Sequence, residues 1–349
     1  MGIFSSLKKK INLLNNKNVI GLDIGEESIK ITEVQTVWGR IVLNSLALIP
    51  TPEDAVIEGD IKNLSLLEEK INEALDENEF EANRVITAVS GEQVISRMVD
   101  IPAMPEDDLD EAIKWEARDK LPIDVEESIV DYEILNKKDD GGYQILIIAV
   151  KKDLIDKYLK LFEALELIPV AIEIEPVAIA RTVDKLYMDD TIGVIDIGTK
   201  TTDISIINRG RLLFTRTVGM GGENITQDIS ETSGISLEKA EEYKKDNDLF
   251  KKEESNLIVR NLTTAIYRSL DYFQVKYKSF DIDRIVLTGG GGNLINFDRH
   301  LTKEFGVRVE KLNLSNRLRS ELASEDYLSE VAQLLGVSIG LASRKEDDR

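Results

Sequence analysis

The sequence contains no cysteine and a single histidine, His300. The first absence excludes disulfides, thiolate catalysis and Cys-type zinc sites. The second leaves little for a His-based triad or a His-rich metal centre. His300 lies in a run with Asp298 and Arg299 and reads as a surface position on a helix. Positive charge is also short, with 44 Lys and Arg against 65 Asp and Glu and a net charge of −21. No broad basic footprint exists, which argues against nucleic acid as a main partner. No apolar run approaches the ~18 residues that span a bilayer. The longest, Ile145 to Val150, is strand-sized, so no transmembrane segment is expected. A signal-peptide pattern is missing as well, and the expected location is cytoplasmic. No low-complexity linker interrupts the chain, so its domains should be interleaved rather than strung on a tether.

What is present is a 349-residue chain, long enough for about two domains. Its 42% apolar and 31% charged residues are those of a globular protein. A strand–turn–strand pattern occurs twice. The first copy runs Val19-Ile20-Gly21-Leu22-Asp23-Ile24-Gly25-Glu26-Glu27-Ser28-Ile29-Lys30. The second runs Gly193-Val194-Ile195-Asp196-Ile197-Gly198-Thr199-Lys200-Thr201-Thr202-Asp203. Both read apolar-apolar-Asp-Ile-Gly, then a short polar turn, then alternation, which suits a buried strand followed by a half-buried partner. Gly25 and Gly198 permit a tight turn and close approach of backbone to a ligand. A carboxylate at each strand end can hold a hydrated cation while turn N–H groups point at phosphate oxygens. The stretch from Gly193 to Thr201 is not a P-loop, because Lys does not directly follow the second glycine and a strand, not a helix, comes next.

Along the chain, residues 1–18 form a tail with Ile3, Phe4, Leu7, Ile11 and Leu14 on one helical face. It reads either as an interfacial helix or as a tail that packs locally or not at all. Met1-Gly2 with Ser6 also fits a short myristoylation pattern. Strands are expected near 19–24, 29–35 and 41–49, then a helix carrying Leu64, Leu67, Ile71 and Leu75, then a strand over 85–89. Residues 91–172 read as a separate α+β unit: a strand over 94–101, a helix over 106–120, strands near 129–135 and 143–149, and a helix over 153–167. From 173 the opening theme returns, with a short helix at Glu175-Pro176 and strands near 192–197, 202–208 and 211–217. Residues 218–280 are helical, and Ile285 to Leu287 runs into Thr288-Gly289-Gly290-Gly291-Gly292. A helix, a short strand near 307–310 and a helix over 327–343 end the fold.

Four clusters in this order carry a resemblance: the Asp23 turn, the Asp196 turn, Gly219 to Asn224, and Leu287 to Gly292. Together they resemble the superfamily of actin, heat-shock chaperones and sugar kinases, and within it FtsA and, more closely, the PilM family of type IV pilus assembly. Several stretches resemble the PilM family specifically: Arg97 to Pro105, Ile113-Lys114-Trp115-Glu116-Ala117 running on to Leu121-Pro122-Ile123, Asp131-Tyr132, and Glu173 to Arg181. The resemblance implies an α/β, actin-like (ribonuclease H-like) two-lobed fold with a duplicated βββαβα core and an inserted α+β subdomain. The implied division is a tail over 1–18, subdomain 1A over 19–90 with 327–349, 1C over 91–172, 2A over 173–217 with 281–326, and 2B over 218–280.

It also implies a site for ATP and Mg²⁺. Asp23 and Asp196 would face the metal through water, since Mg²⁺ keeps much of its hydration shell. Gly25, Ser28 and Lys30, with Gly198, Thr199 and Thr201, would border the phosphates. Gly221, Gly222 and Glu223 would lie near the ribose, Glu241 and Lys244 on sugar and base, and Gly289, Gly290 and Gly291 beside the adenosine. Glu175 stays open between two roles, orienting a hydrolytic water and acting as a helix-start carboxylate favoured by the dipole. One departure stands out: where the family usually has Ser or Thr, this chain has Glu26-Glu27. Carboxylates beside phosphate are costly unless a cation relieves them or they turn away, so binding is expected with hydrolysis slow or absent.

The implied partner is the cytoplasmic N-terminal peptide of a PilN-like membrane protein, which would hold this chain peripherally at the cytoplasmic face of the inner membrane. That peptide typically contains Ile-Asn-Leu-Leu, and this chain carries Ile11-Asn12-Leu13-Leu14 in its own tail. The tail could mimic the partner in its own or a neighbouring molecule, which leaves self-association open. The alternatives are a filament-forming FtsA-like actin and a small-molecule kinase on the same fold.

Overall fold

The structure, a computed structural model, describes residues 18–37, 40–91, 94–187, 191–250, 257–277, 280–314, 318–320 and 324–344. The tail features named above, including Ile11 to Leu14, lie outside the described residues.

The first lobe begins with β1 (Ile20–Ile24), β2 (Ser28–Val37) and β3 (Arg40–Pro50), an antiparallel meander. A two-residue ladder follows, β4 (Val56–Ile57) and β5 (Asp60–Ile61). Helix α1 (Leu64–Glu77) buries Leu67, Ile71 and Ala74, and the Asn63 side chain accepts from the Leu66 N–H at its start. Strand β6 (Arg84–Val89) then pairs parallel to β1.

The inserted part is β7 (Val94–Ile101), α2 (Leu109–Lys120), β8 (Ser128–Lys137) and β9 (Tyr143–Lys151). It forms its own sheet in the order β7-β9-β8, with Leu109, Ile113 and Ala117 of α2 packed against Tyr143, Ile145 and Ile147 of β9. The chain returns to the first lobe through α3 (Lys152–Ala164) and β10 (Ile168–Ile174), and β10 pairs parallel to β6. That strand is a correction to the sequence reading, which marked none between 168 and 174.

Helix α4 (Glu175–Leu186) leads into the second lobe: β11 (Thr191–Ile197), β12 (Thr202–Asn208), β13 (Arg211–Val218), α5 (Gly222–Ser233), α6 (Leu237–Asp246), α7 (Leu257–Lys276), β14 (Arg284–Thr288), α8 (Phe297–Phe305) and β15 (Arg308–Lys311). The short β16 (Leu318–Ser320) then adds to the edge of the first sheet beside β3, and α9 (Glu325–Ala342) closes the fold. The sheets run β10-β6-β1-β2-β3-β16 and β13-β12-β11-β14-β15. Apart from β16, each is the other's repeat, with the same order and the same parallel and antiparallel pairings. This is the duplicated two-lobed architecture that the sequence implies. His300 lies on α8, as expected, and is half-buried there: it stacks on Phe250 with ring centroids 4.8 Å apart, and burial holds its pKa below the usual histidine value.

Two helices join the lobes. A Cβ added at Gly340 of α9 would lie 1.9 Å from the Ala178 carbonyl of α4, and one at Gly336 would lie 2.4 Å from the Ile179 side chain. Only glycine lets the helices approach this closely. The Arg181 guanidinium donates to the Gly340 carbonyl at 2.6 Å and to the Glu173 carboxylate, which Arg344 also contacts. The Gln333 carbonyl of α9 accepts from the Gly289 N–H and the Thr288 hydroxyl. One helix of the first lobe thus anchors the glycine-rich turn of the second.

Candidate functional site

The two hairpins noticed in the sequence share one register. Asp23 on β1 is paired with Lys30 on β2, and Asp196 on β11 is paired with Asp203 on β12. Each turn closes with the same hydrogen bond: the Gly25 N–H donates to the Ser28 carbonyl at 3.1 Å, and the Gly198 N–H to the Thr201 carbonyl at 2.9 Å. The chemistry of the paired positions differs. In the first hairpin the Lys30 ammonium sits 3.3 Å from the Asp23 carboxylate, and both side chains are nearly buried. In the second, two carboxylates stand side by side, and Asp203 accepts from the Thr217 hydroxyl.

Glu175, the first residue of α4, lies close enough to both hairpins for the charges of Asp23, Asp196 and Asp203 to act on it and for its own to act on Lys30; the space these groups share is the cleft between the lobes. Burial alone would lower the pKa of Lys30, but the fields of Asp23, Glu175 and Asp196 outweigh it and hold the ammonium above the ordinary lysine value. Asp196 is pushed up to about 7 by burial, then by Asp203 and Asp23, with Lys30 opposing. Burial raises Asp203 to about 6 against the Thr217 hydrogen bond. Glu175 lies well above the usual carboxylate range, because of burial and the charges of Asp23, Asp196 and Asp203, despite a hydrogen bond with Ser90. Raised carboxylates gathered in one cleft mark a place suited to a cation.

Glu26 does not point unpaired into this space. One carboxylate oxygen accepts from the Glu58 N–H, and the other lies 3.3 Å from the Lys200 ammonium of the opposite hairpin. The cation required to tolerate a glutamate there is therefore supplied by the other lobe.

The glycine-rich segments pack on the second hairpin. A Cβ at Gly221 would lie 2.4 Å from the Thr199 carbonyl, and one at Gly289 would lie 2.3 Å from the Asp196 carboxylate. Gly289 also has a φ of +77°, which favours glycine. A Cβ at Gly291 would meet the Ile197 side chain at 2.2 Å, whereas one at Gly290 meets nothing nearer than 3.9 Å. The Gly222 and Glu223 N–H groups that open α5 donate to the Gly198 and Thr199 carbonyls, both at 2.9 Å. Glu241 and Lys244 of α6 bind each other at 2.6 Å, and the buried Lys244 ammonium also donates to the Gly222 carbonyl at 3.0 Å and the Thr226 hydroxyl at 2.8 Å. Burial raises the pKa of Glu241, but hydrogen bonds from Lys244 and Thr226 bring it below the usual value.

Thus Asp23, Gly25, Ser28, Lys30, Glu175, Asp196, Gly198, Thr199 and Thr201 come together around the cleft or its two turns. Glu241 and Lys244 tie α6 to α5 behind the second turn. Sequence reasoning did not single out Asp203 or Lys200. The signal for Asp203 was available, since it follows Asp196 at the spacing by which Lys30 follows Asp23. Among the described residues, no group of three or more acidic or imidazole side chains is arranged to hold a metal ion by itself.

A family model described as type IV pilus assembly protein PilM matches residues 21–346. The chain belongs to the PilM family. Its fold is similar to that of a solved PilM–PilN type IV pilus biogenesis complex, with a TM-score of 0.83 and 26% identity over 93% of this chain and 97% of that one. The cell division protein FtsA of Bacillus subtilis (strain 168) is 26% identical over 260 residues, 66% of this chain. The match spans only 58% of FtsA's own length. The structure of MreB5 of Spiroplasma citri bound to ADP shares the fold, with a TM-score of 0.52 and 15% identity over 93% of this PilM-family chain and 95% of that one.

Proposed function

We propose that this PilM-family chain is a nucleotide-binding adaptor of type IV pilus assembly. It binds ATP between its lobes and captures the cytoplasmic N-terminal peptide of a PilN-like protein at the inner face of the inner membrane. The observation that carries the nucleotide half is the pair of matched hairpins, close enough for Glu26 and Lys200 to touch. The family match and the likeness to a PilM–PilN complex support the partner half. No described helix is long and apolar enough to cross a membrane, and in this reading the partner supplies the membrane attachment.

The cleft residues fit Mg²⁺ bound with nucleotide. Asp196 and Glu175 carry carboxyls raised by burial and by neighbouring acids, a donor set suited to a metal that keeps several waters and shares its remaining positions with phosphate oxygens. Asp196 and Asp23 would hold it through water, and when bound it neutralises charge on the phosphates. Lys30 and the turn N–H groups bind and orient the phosphate chain. Glu175, buried beside Asp23 and Asp196, would orient a water toward the terminal phosphate. Glycines 289–291 let adenosine lie against backbone.

Equilibrium titration tests the nucleotide half: binding of Mg·ATP is expected at submillimolar concentration, and none at millimolar nucleotide overturns it. Fluorescence anisotropy with a labelled PilN N-terminal peptide tests the other half, with saturable binding expected. Deleting residues 1–17 is expected to tighten peptide binding or change the oligomeric state, the outcome if the tail's Ile11 to Leu14 competes for the same groove. The FtsA similarity favours a second reading, a filament-forming actin. ATP-dependent pelleting without peptide capture would favour it.

A further inference from the structure

Lys200 and Glu26 form an ion pair that bridges the two turns, one from each lobe. Their tethering is unequal. Glu26 is 16% exposed, and its second oxygen is held by the Glu58 N–H. Glu58 has φ +53° and Gly59 φ +74°, the left-handed pair of a tight turn between β4 and β5. Just after that turn, Asp60 is fixed by Lys62 and by Lys157 of α3, both at 2.7 Å. The carboxylate of Glu26 is therefore built into the first lobe. Lys200 is 37% exposed, with Glu26 as its ion-pair partner across the cleft, and its four-carbon stem lets the ammonium swing. It follows Gly198 and Thr199 in the turn read above as bordering the phosphates.

We propose that Lys200 reads the terminal phosphate of a nucleoside triphosphate and that Glu26 holds it in reserve until that phosphate arrives. The inference rests on the reading of the cleft as a nucleotide site. A γ-phosphate entering between the turns brings charge that competes with the Glu26 carboxylate for one ammonium. Lys200 then changes partner from lobe to ligand, and the direct tie between the turns opens. A diphosphate ends one group short and leaves the ion pair closed. The contact between lobes thereby depends on whether the nucleotide has two or three phosphates. A glutamate in a phosphate-binding turn becomes a means of discrimination and not merely a repulsive defect.

The test is calorimetric titration of Mg·ATP and Mg·ADP into the full chain and into the Glu26→Gln, Lys200→Met, Lys200→Arg and double Glu26→Gln/Lys200→Met variants, each first checked for an unchanged circular dichroism spectrum. Expected are about fivefold tighter ATP binding in Glu26→Gln and about tenfold weaker ATP binding in Lys200→Met, with ADP changed less than twofold in both. Lys200→Arg should keep the preference for ATP. In the double variant the gain from Glu26→Gln should vanish. A gain that persists without Lys200 means that Glu26 merely repels phosphate, and overturns the handover. So do equal effects on ATP and ADP, while leaving the nucleotide reading intact. Failure of every protein, wild type included, to bind either nucleotide overturns both.

Discussion

The two hairpins have one backbone and two electrostatic designs. At the position across from the strand-end aspartate, the first carries Lys30 and the second Asp203. The first therefore neutralises its own acid with a partner 3.3 Å away. The second places Asp203 beside Asp196: burial and then the Asp203 charge push Asp196 up to about 7, and burial pushes Asp203 up to about 6. Duplication has supplied the geometry, and one substitution within it has divided the labour. Under the proposed function, the first lobe would offer a fixed cation for phosphate, and the second an anionic place that an added cation would satisfy.

Breaking the first design should have the largest effect. Lys30→Met strands the buried Asp23 and removes a charge that also faces Glu175 and Asp196. Removing one member of a buried pair costs about 3 kcal/mol. Urea unfolding should show the greater loss at pH 8 than at pH 6, because more of the surrounding acids are ionised. An equal loss at both pH values would mean that Lys30 serves packing alone.

Relieving the second design should have a smaller effect of opposite sign. The folded state holds protons on Asp196 and Asp203 more tightly than the unfolded chain does, whose aspartates titrate near ~4. Its stability without nucleotide should therefore fall as pH rises from ~4 through about 7. Asp203→Asn keeps an acceptor for Thr217, should stabilise the protein by about 1–2 kcal/mol at pH 8, and should flatten that slope. An unchanged pH profile would show that the paired carboxylates do not burden the second hairpin.

The same asymmetry predicts how nucleotide binding responds to pH. If Asp196 faces Mg²⁺ as proposed, it must first lose its proton, so Mg·ATP affinity should rise about tenfold between pH 6 and pH 8. Calorimetry in two buffers of different ionisation enthalpy should detect proton release at pH 6. Binding that is independent of pH across this range would place the metal elsewhere.

The comparison was half legible in the sequence. Both turns could be read because each joins an apolar run to an alternating one, and the strand over 94–101 was placed to the residue. Strand β10 was missed because Pro169 sits in it and Ile168 and Val170 are exposed, which breaks the usual pattern. As an edge strand with an irregularity between Pro169 and Ala171, it tolerates both. The ladders of β4, β5 and β16 are too short to carry periodicity. The candidate residues of each turn were visible as motifs, but their partners were not. Nothing local links Glu26 to Lys200 or Gly340 to Ala178, because those contacts exist only once the lobes meet. Gly289 and Gly291 are needed first for packing against Asp196 and Ile197, a requirement that a motif cannot distinguish from approach to a ligand.

The smallest expected effect concerns what stands behind each turn. The second rests on the first residues of α5, whose N–H groups bind its carbonyls, and α5 is in turn held by Lys244 and Glu241. Glu241 is about one-third exposed, so solvent screens much of the pair, and Glu241→Gln should cost under ~1 kcal/mol. The side chain still accepts from Thr226, which limits the loss. If Glu241 and Lys244 serve only to brace α5, ATP and ADP affinity should fall by the same factor, about twofold or less. If they also meet ribose or base, both affinities should fall by more than the stability change accounts for, and Lys244→Met should show the same excess. Hydrogen exchange at Gly222 and Glu223 separates the cases, since bracing alone predicts faster exchange there and no change at Gly25 in the first turn.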